Sequence, residues 1–158
     1  MTDIVPTLWF DGQAEEAARF YIALIPNSRI GDISWHGEDS AKASGQRPGS
    51  ALTVAFELAG RPFLALNGGP MFHFTEAISM TVTCGSQDEI DRYWTALTEG
   101  GQESRCGWLK DKYGLSWQIV PSVLASLMTG AAAGRVMGAL MRMGKIDIQT
   151  LRDAAATS

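Results

Sequence analysis

Residues 8–21 read LWFDGQAEEAARFY and join a predicted strand to a predicted helix. The strand, Ile4 to Phe10, is apolar, β-branched and aromatic, and the turn Asp11-Gly12 ends it. Small and apolar side chains then recur at helical spacing from Gln13 to Leu24, which predicts an amphipathic helix. Two glutamates fall in its first turn, where the helix dipole favours negative charge. The chain therefore opens with a strand–helix unit.

A second stretch repeats this order. Residues 81–94 read TVTCGSQDEIDRYW, and the triplet Arg92-Tyr93-Trp94 follows the triplet Arg19-Phe20-Tyr21 at an interval of 73 residues. Two unrelated amphipathic helices with similar N-termini would also give this likeness. Hairpin-like strands follow the helix in both halves, which favours a βαβββ unit present twice. Because a repeat must stack on its copy to bury its sheet face, we expect an α+β fold whose two modules form a half-barrel with a concave pocket.

The same patterns predict the remaining elements. The second helix is predicted over residues 87–97, and a polar stretch rich in Gly and Ser, residues 36–50, is predicted to be a mobile loop. Strands are predicted over residues 28–35, 51–58, 62–67, 77–84, 102–110 and 115–120. These elements place one domain at residues 1–125, with module one at 1–70 and module two at 71–125, and a helical extension at 126–158.

The extension is additional to the repeat. The spacing of its apolar residues predicts short helices. These residues are Val123, Leu127, Val136, Leu140, Ile146, Ile148 and Leu151. Met137, Met141 and Met143 lie among them, and methionine suits core or interface packing because it adapts to irregular gaps. We therefore expect the extension to pack across a partner subunit and the protein to be a homodimer.

Composition narrows the classes of partner. The 158 residues are 46% apolar and 19% charged, which is typical of a globular domain, and the net charge of -4 argues against nucleic acid or an anionic membrane. No signal peptide is apparent, and no apolar run approaches the ~20 residues that span a bilayer. Cys84 and Cys106 lack the CxxC spacing and fit a reducing compartment. We expect a cytoplasmic protein with both thiols reduced.

Longer motifs resemble one family. They are LWFDGQAEEA at residues 8–17, ALNGGP at 65–70, CGWLKDKYG at 106–114, SWQIVP at 116–121 and KIDI at 145–148. The chain resembles PhnB-like proteins, often labelled 3-demethylubiquinone-9 3-methyltransferase, of the vicinal oxygen chelate superfamily. Glyoxalase I, extradiol dioxygenases and antibiotic-resistance binding proteins share that superfamily. The resemblance implies paired βαβββ modules and a homodimer, in agreement with the repeat.

The label can be tested against the sequence. A doubly wound methyltransferase needs a Gly-rich loop after its first strand and alternating βα units. Here the first strand is followed by Asp11-Gly12-Gln13-Ala14, and the later strands come in hairpins. We therefore expect no methyl transfer.

Metal enzymes of this superfamily carry His, Gln or Glu ligands on equivalent strands of the two modules. The matching positions here are Val5, Ala65, Ala77 and Gln118, of which only Gln118 has a donor atom. One neutral oxygen does not hold a divalent cation against water. A register slip of one residue would present Leu66 or Trp117 instead, which adds no ligand. We expect no metal and no cofactor, with His36 and His73 as solvated loop residues.

The predicted pocket is polar and aromatic. Its candidate ligand-binding residues are Thr7, Trp9, Asn67, Ser79, Thr81, Cys106, Trp108 and Gln118. This lining suits a small or flat, partly apolar molecule. In the alternative interpretation, the two tryptophans are core residues, and Ser79 and Thr81 only satisfy neighbouring strands.

Two classes of function remain open. One is a metal-independent binding protein, and the other is a metal-independent enzyme acting on a small metabolite. Cys106 near Lys110 could be an activated thiol, since a nearby cation lowers a thiol pKa, or an inert buried cysteine. The sequence contains no Ser-His-Asp pattern, paired-carboxylate motif or phosphate loop. It does not name a substrate.

Overall fold

The computed structural model describes residues 1–157, which form two compact units that divide after His73. The first unit contains β1 (Thr7–Phe10), α1 (Ala14–Leu24), β2 (Arg29–Trp35), α2 (Glu38–Ser44), β3 (Ala51–Leu58) and β4 (Arg61–Asn67). Its open sheet has the order β1-β4-β3-β2, with β1 parallel to β4 and the other pairs antiparallel.

The second unit begins at Phe74 and repeats this topology. It contains β5 (Ser79–Cys84), α3 (Gln87–Thr98), β6 (Gln102–Glu103), β7 (Trp108–Lys110) and β8 (Ser116–Pro121). The sheet order is β5-β8-β7-β6, again with the first and last strands parallel. The predicted βαβββ unit is confirmed in both halves, and the fold is α+β and glyoxalase-like.

In each unit one sheet face is covered by a helix. In the first sheet the covered face packs against α1 and carries buried Leu8, Phe10, Val54, Phe56, Leu58, Phe63 and Ala65. In the second, α3 supplies buried Ile90, Trp94 and Leu97, and the sheet supplies Cys84, Leu109, Trp117 and Ile119. We call the opposite side of each sheet its open face. Alternation along the strands puts the even and odd positions on opposite faces.

The first unit differs from the prediction in the start of its first strand and in an additional helix. The first strand begins at Thr7 rather than Ile4, because Pro6 has no N–H to donate and contributes only its carbonyl, to Leu64 N at 3.0 Å. The predicted loop at residues 36–50 instead contains α2. Gly45, with φ of 71°, ends this helix in the left-handed conformation that glycine adopts without strain.

The predicted strand over residues 102–110 is wrong in its centre. Cys106 and Gly107 have φ of 60° and 82°, which breaks the ladder into β6 and β7. Their N–H groups donate instead to Met143 O at 2.9 Å and Gly144 O at 2.8 Å. A Cβ on Gly107 would lie 2.8 Å from Ile119 O, so only glycine fits there.

The C-terminal segment folds onto its own unit. It contains α4 (Leu124–Leu127), a short 3₁₀ turn (Gly130–Ala132), α5 (Ala133–Met141) and α6 (Ile148–Ala156). Its buried core consists of Val136, Ala139, Leu140, Ile146 and Leu151. Gln87 at the start of α3 holds this segment by donating to Ile146 O at 3.0 Å and accepting from Ile148 N at 2.9 Å.

Much of the apolar surface predicted to meet a partner is thus buried within the chain. Val136, Leu140 and Leu151 belong to this internal core. Met137 and Met141 remain 41% and 60% exposed on α5. Across residues 1–157, none of the helices has the length and apolar character needed to cross a bilayer.

Candidate functional site

The open face of the second sheet carries two rows of polar and aromatic side chains. The strand register aligns Ser79, Ser116 and Lys110 in one row. It aligns Thr81, Gln118 and Trp108 in the next. Residues directly opposite on neighbouring strands have Cβ atoms about 4.5–5.5 Å apart. Four of the predicted site residues, Ser79, Thr81, Trp108 and Gln118, are therefore neighbours on one face.

The two serines of the first row differ in their hydrogen bonding. Ser79 Oγ accepts from Gln118 Nε2 at 2.9 Å. Ser116 is 1% exposed, and its Oγ has no hydrogen-bond partner among the described residues. A buried polar atom without a partner is uncommon in a folded protein. Ser116 was not among the predicted ligand-binding residues. Alternation from Gln118 placed it on the open face, but sequence carries no signal for an unsatisfied hydroxyl.

A small cavity adjoins Ser116. Its volume is about 220 Å³, and its lining is Glu76, Gln102, Glu103, Ser104, Trp108, Leu109, Lys110 and Ser116. Lys110 Nζ lies 2.5 Å from Glu76 Oε1. The hydrogen bond from Lys110 is the largest of the effects that lower the pKa of the Glu76 carboxyl. Glu76 is ionised at neutral pH, and it neutralises the one cation of this lining.

Glu103 directs its carboxylate elsewhere. It stands opposite Leu109 in the register, on the side of the sheet that α3 covers. Its Oε1 accepts from Trp94 Nε1 of α3 at 2.8 Å. The charged side chains of the cavity lining are therefore Lys110, Glu76 and Glu103, and Glu103 is the one held by Trp94.

In the first unit, Thr7 and Trp9 lie on the open face, as the predicted alternation requires. Trp9 Nε1 donates to Gly69 O at 2.8 Å, and its ring meets that of Phe72 edge-on at 4.9 Å between centroids. A Cβ on Gly68 would meet the Trp9 ring, so a larger residue there would require the indole to shift. Further along this sheet is a depression of about 540 Å³, bordered by Ala55 and Leu64.

Asn67 ends β4 on the covered face, in register with Phe10 and opposite in facing to Trp9. Its Oδ1 accepts from Ala14 N at 2.9 Å, at the start of α1, and its Nδ2 donates to Ala51 O at 3.0 Å. Both ends of the side-chain amide are thereby engaged. Asn67 holds the N-terminus of α1 on the sheet.

His36 is not a solvated loop residue, and that prediction is wrong. The side chain is 4% exposed. Its Nε2 lies 3.1 Å from Asn67 O, and its Nδ1 lies 3.0 Å from Ser40 Oγ in α2. The unpredicted helix α2 covers this ring. His73 is exposed, as predicted.

Residues 45–47, which directly follow α2, border a depression that the sequence did not predict. Its volume is about 420 Å³, and the lining includes Gly12, Glu15, Trp35, Arg47 and Asn67. The sequence signal for α2 was the acidic pair Glu38-Asp39 after Gly37 and before Gly45, a spacing typical of a short capped helix.

The cysteines are not placed for nucleophilic chemistry on the open face. Cys106 precedes β7, so it does not share a strand face with Trp108 and Lys110. It packs against the core of the C-terminal segment. Cys84 is buried under α3, and desolvation raises the pKa of its thiol to about 11. Lys110, the cation expected to activate Cys106, pairs with Glu76.

The residues at the superfamily's metal positions do not fit a metal ion. Val5 and Ala77 are exposed apolar residues outside the strands, and Ala65 is buried on the covered face. In the first sheet the open face presents Leu64 and Leu66 instead, because these pair with Thr7 and Trp9. Gln118 is the single donor. Among residues 1–157, no three His, Cys, Asp or Glu side chains cluster in a way that could bind a metal.

Comparison with known proteins agrees with this geometry. The sequence model described as 3-demethylubiquinone-9 3-methyltransferase matches residues 2–120. The chain belongs to this PhnB-like family. The PhnB protein of Bacillus cereus is 33% identical, with a TM-score of 0.68 over 77% of this chain and 100% of that one. No functionally curated protein matches.

More distant solved structures share the fold. Protein PA1353 from Pseudomonas aeruginosa is 19% identical, with a TM-score of 0.60 over 77% of this chain and 98% of that one. The fosfomycin resistance protein FosX from Listeria monocytogenes is 15% identical, with a TM-score of 0.55 over 82% and 98% of the two chains. This PhnB-like chain therefore shares its glyoxalase-like fold with these proteins. Residues 121–158 lie beyond the range that the family model matches.

Proposed function

We propose that this PhnB-like protein binds a small, flat, partly apolar molecule on the open face of its second sheet, without a metal ion. One observation carries the proposal: the Ser116 hydroxyl is buried and unpartnered beside a cavity. A ligand that hydrogen bonds to this hydroxyl would remove the desolvation penalty that the folded protein otherwise bears.

The neighbouring side chains support a flat ligand. Trp108 offers an indole surface at the same cavity. Gln118 and Thr81 occupy the adjoining row with neutral hydrogen-bonding groups. Aromatic walls with a few directed polar groups are the usual lining of small-molecule sites. The predictions for Thr7 and Trp9 concern the open face of the first sheet, separately from this site.

The chemistry of the donor set supports metal independence, because the four superfamily positions offer one amide and three alkyl groups. The family's name describes a methyltransferase, and we do not propose that reaction here. The chain has paired βαβββ units in place of the doubly wound sheet and Gly-rich loop that commonly hold a nucleotide-like methyl donor.

We propose in addition that the protein is a cytoplasmic homodimer. The exposed methionines of α5, Met137 and Met141, support a self-association surface, since methionine packs adaptably at interfaces. Light scattering coupled to gel filtration should give twice the chain mass at micromolar concentration. A monomer mass under those conditions would contradict the dimer.

Ligand binding can be tested by thermal shift with a panel of planar aromatic compounds, because a ligand of the native state raises the Tm with concentration. Compounds that bind the proposed site should lose their effect in Trp108→Leu and Gln118→Leu. The matched control Gln149→Leu changes an exposed glutamine on α6 and should behave as wild type. Hits indifferent to both site variants would refute the location. One equivalent of metal in untagged protein would refute metal independence, and mass spectrometry of incubated hits would reveal any turnover.

A further inference from the structure

We propose that the second-sheet cavity recognises the carboxylate of an aromatic monocarboxylate, which replaces Glu76 on Lys110 and accepts a hydrogen bond from Ser116. This inference rests on the function proposed above and names the ligand class of that site. The protein already pairs one of its own carboxylates, that of Glu76, with Lys110 at this cavity.

Lys110 is the cation of this site. Its side chain is 35% exposed at the open face, and Glu76 Oε1 sits 2.5 Å from its ammonium group. Glu76 belongs to the segment before β5, and its own side chain is 64% exposed. Exposed ion pairs contribute little to stability because water and salt compete for both charges. Replacing the Glu76 carboxylate by that of a ligand therefore costs little free energy.

Ser116 supplies a hydrogen-bond donor. It stands directly opposite Lys110 in the antiparallel pair of β7 and β8, so both side chains project from one face into the same cavity. Its hydroxyl has no partner among residues 1–157, so a ligand oxygen that reached it would meet an unused donor. A hydroxyl that donates to an ionised acceptor forms a shorter and stronger bond than one that donates to a neutral acceptor. A carboxylate held on Lys110 would use both groups.

The remaining volume limits the rest of the ligand. The cavity of about 220 Å³ is smaller than most drug-sized pockets, so it fits a single ring with its acid group. Trp108 lines it and provides an apolar surface for that ring. Of the two carboxylates in the cavity lining, Glu76 is the one that a ligand would displace, and Glu103 keeps its hydrogen bond to Trp94 Nε1.

Calorimetric titration of the full-length protein with benzoate, and with benzamide as the uncharged isostere, tests the proposal. Wild type should bind benzoate at least tenfold more tightly than benzamide. Glu76→Gln should strengthen benzoate binding about twofold to fivefold, because the internal competitor is gone. Ser116→Ala should weaken it about tenfold. Lys110→Met should abolish the preference for benzoate, whereas Lys112→Met, a lysine in the following turn, should leave it unchanged.

Each variant is first checked for a cooperative thermal transition, so loss of binding is not confused with loss of fold. Equal affinity for benzoate and benzamide, or an unchanged affinity in Ser116→Ala, would overturn the carboxylate inference. In the second case an ordered water satisfies the hydroxyl. If aromatic compounds still bind in a manner that depends on Trp108, the proposed function stands despite that failure. If no aromatic compound does so, the proposed function falls as well.

Discussion

Replacement of Ser116 by alanine should stabilise this protein, although it removes a polar group from the sheet. The Oγ atom is buried and unpartnered, and leaving such a group unsatisfied costs about 1–3 kcal/mol. Removing one oxygen leaves a small void, and voids cost about 24 cal/mol per Å³, which offsets only a few tenths of a kcal/mol. We expect a net gain of about 1 kcal/mol in the free energy of unfolding.

Ser79 provides a matched control, because it faces Ser116 across the parallel strands β5 and β8. Its Oγ accepts from Gln118 Nε2 at 2.9 Å, so Ser79→Ala removes a hydrogen bond that is made. That loss should cost about 0.5–1 kcal/mol, since a half-buried amide partly recovers water. The same substitution on neighbouring strands should thus change stability in opposite directions.

Urea denaturation followed by tryptophan fluorescence measures both changes. The urea midpoint should rise for Ser116→Ala and fall for Ser79→Ala, with an unchanged m-value. In thermal unfolding, each kcal/mol corresponds to about 2–4 °C in Tm for a chain of this size. Equal losses in the two variants would refute the reasoning. That result would mean that Ser116 Oγ has a partner, such as a bound water, in the ligand-free protein.

Three further predictions concern the second unit. Gly107→Ala should lower the free energy of unfolding by more than about 2 kcal/mol, because its Cβ would lie 2.8 Å from backbone. Gly114→Ala should lower it by about 1 kcal/mol, because Gly114 has a φ of 86° but open space around it. Urea denaturation measures both losses, and equal losses would contradict this prediction. The Cys84 thiol, with a pKa raised to about 11 by burial, should resist iodoacetamide at pH 8 in the native protein, as intact-mass measurement would show. By NMR, the Glu76 carboxyl should titrate below its usual range in wild type and return towards that range in Lys110→Met. Because the pKa is lowered in the folded protein, the ion pair contributes stability above the ordinary carboxyl pKa, and this contribution is lost as the pH falls through the lowered value. An unchanged Glu76 titration in that variant would argue that the ion pair does not form in solution.

The topology was predictable because it rests on repetition. The helices carrying Arg19-Phe20-Tyr21 and Arg92-Tyr93-Trp94 occupy equivalent places in the two units, and alternation put Gln118, Ser79 and Thr81 on one face as observed. Strand alternation is a local property of the backbone, so it can be inferred from a short run of residues.

Errors arose where distant segments determine the backbone. Cys106 adopts a positive φ that few non-glycine residues show, and its N–H bonds to Met143, which lies in a different part of the sequence. His36 is buried by a helix whose sequence is polar, so hydrophobic periodicity did not reveal it. The unpartnered state of Ser116 depends on the atoms that surround it in three dimensions, and no local pattern predicts it.

The pairing of Cys106 and Gly107 with Met143 and Gly144 has a consequence for biosynthesis. The carbonyls of Met143 and Gly144 accept the hydrogen bonds from the turn between β6 and β7, and they are translated after all strands of the second sheet. Domains generally fold as units during translation, starting from the N-terminus. The first unit has all four of its strands once Asn67 has been translated. The second unit cannot form these hydrogen bonds until residues 143–144 have emerged, so its sheet is completed later in synthesis than that of the first unit.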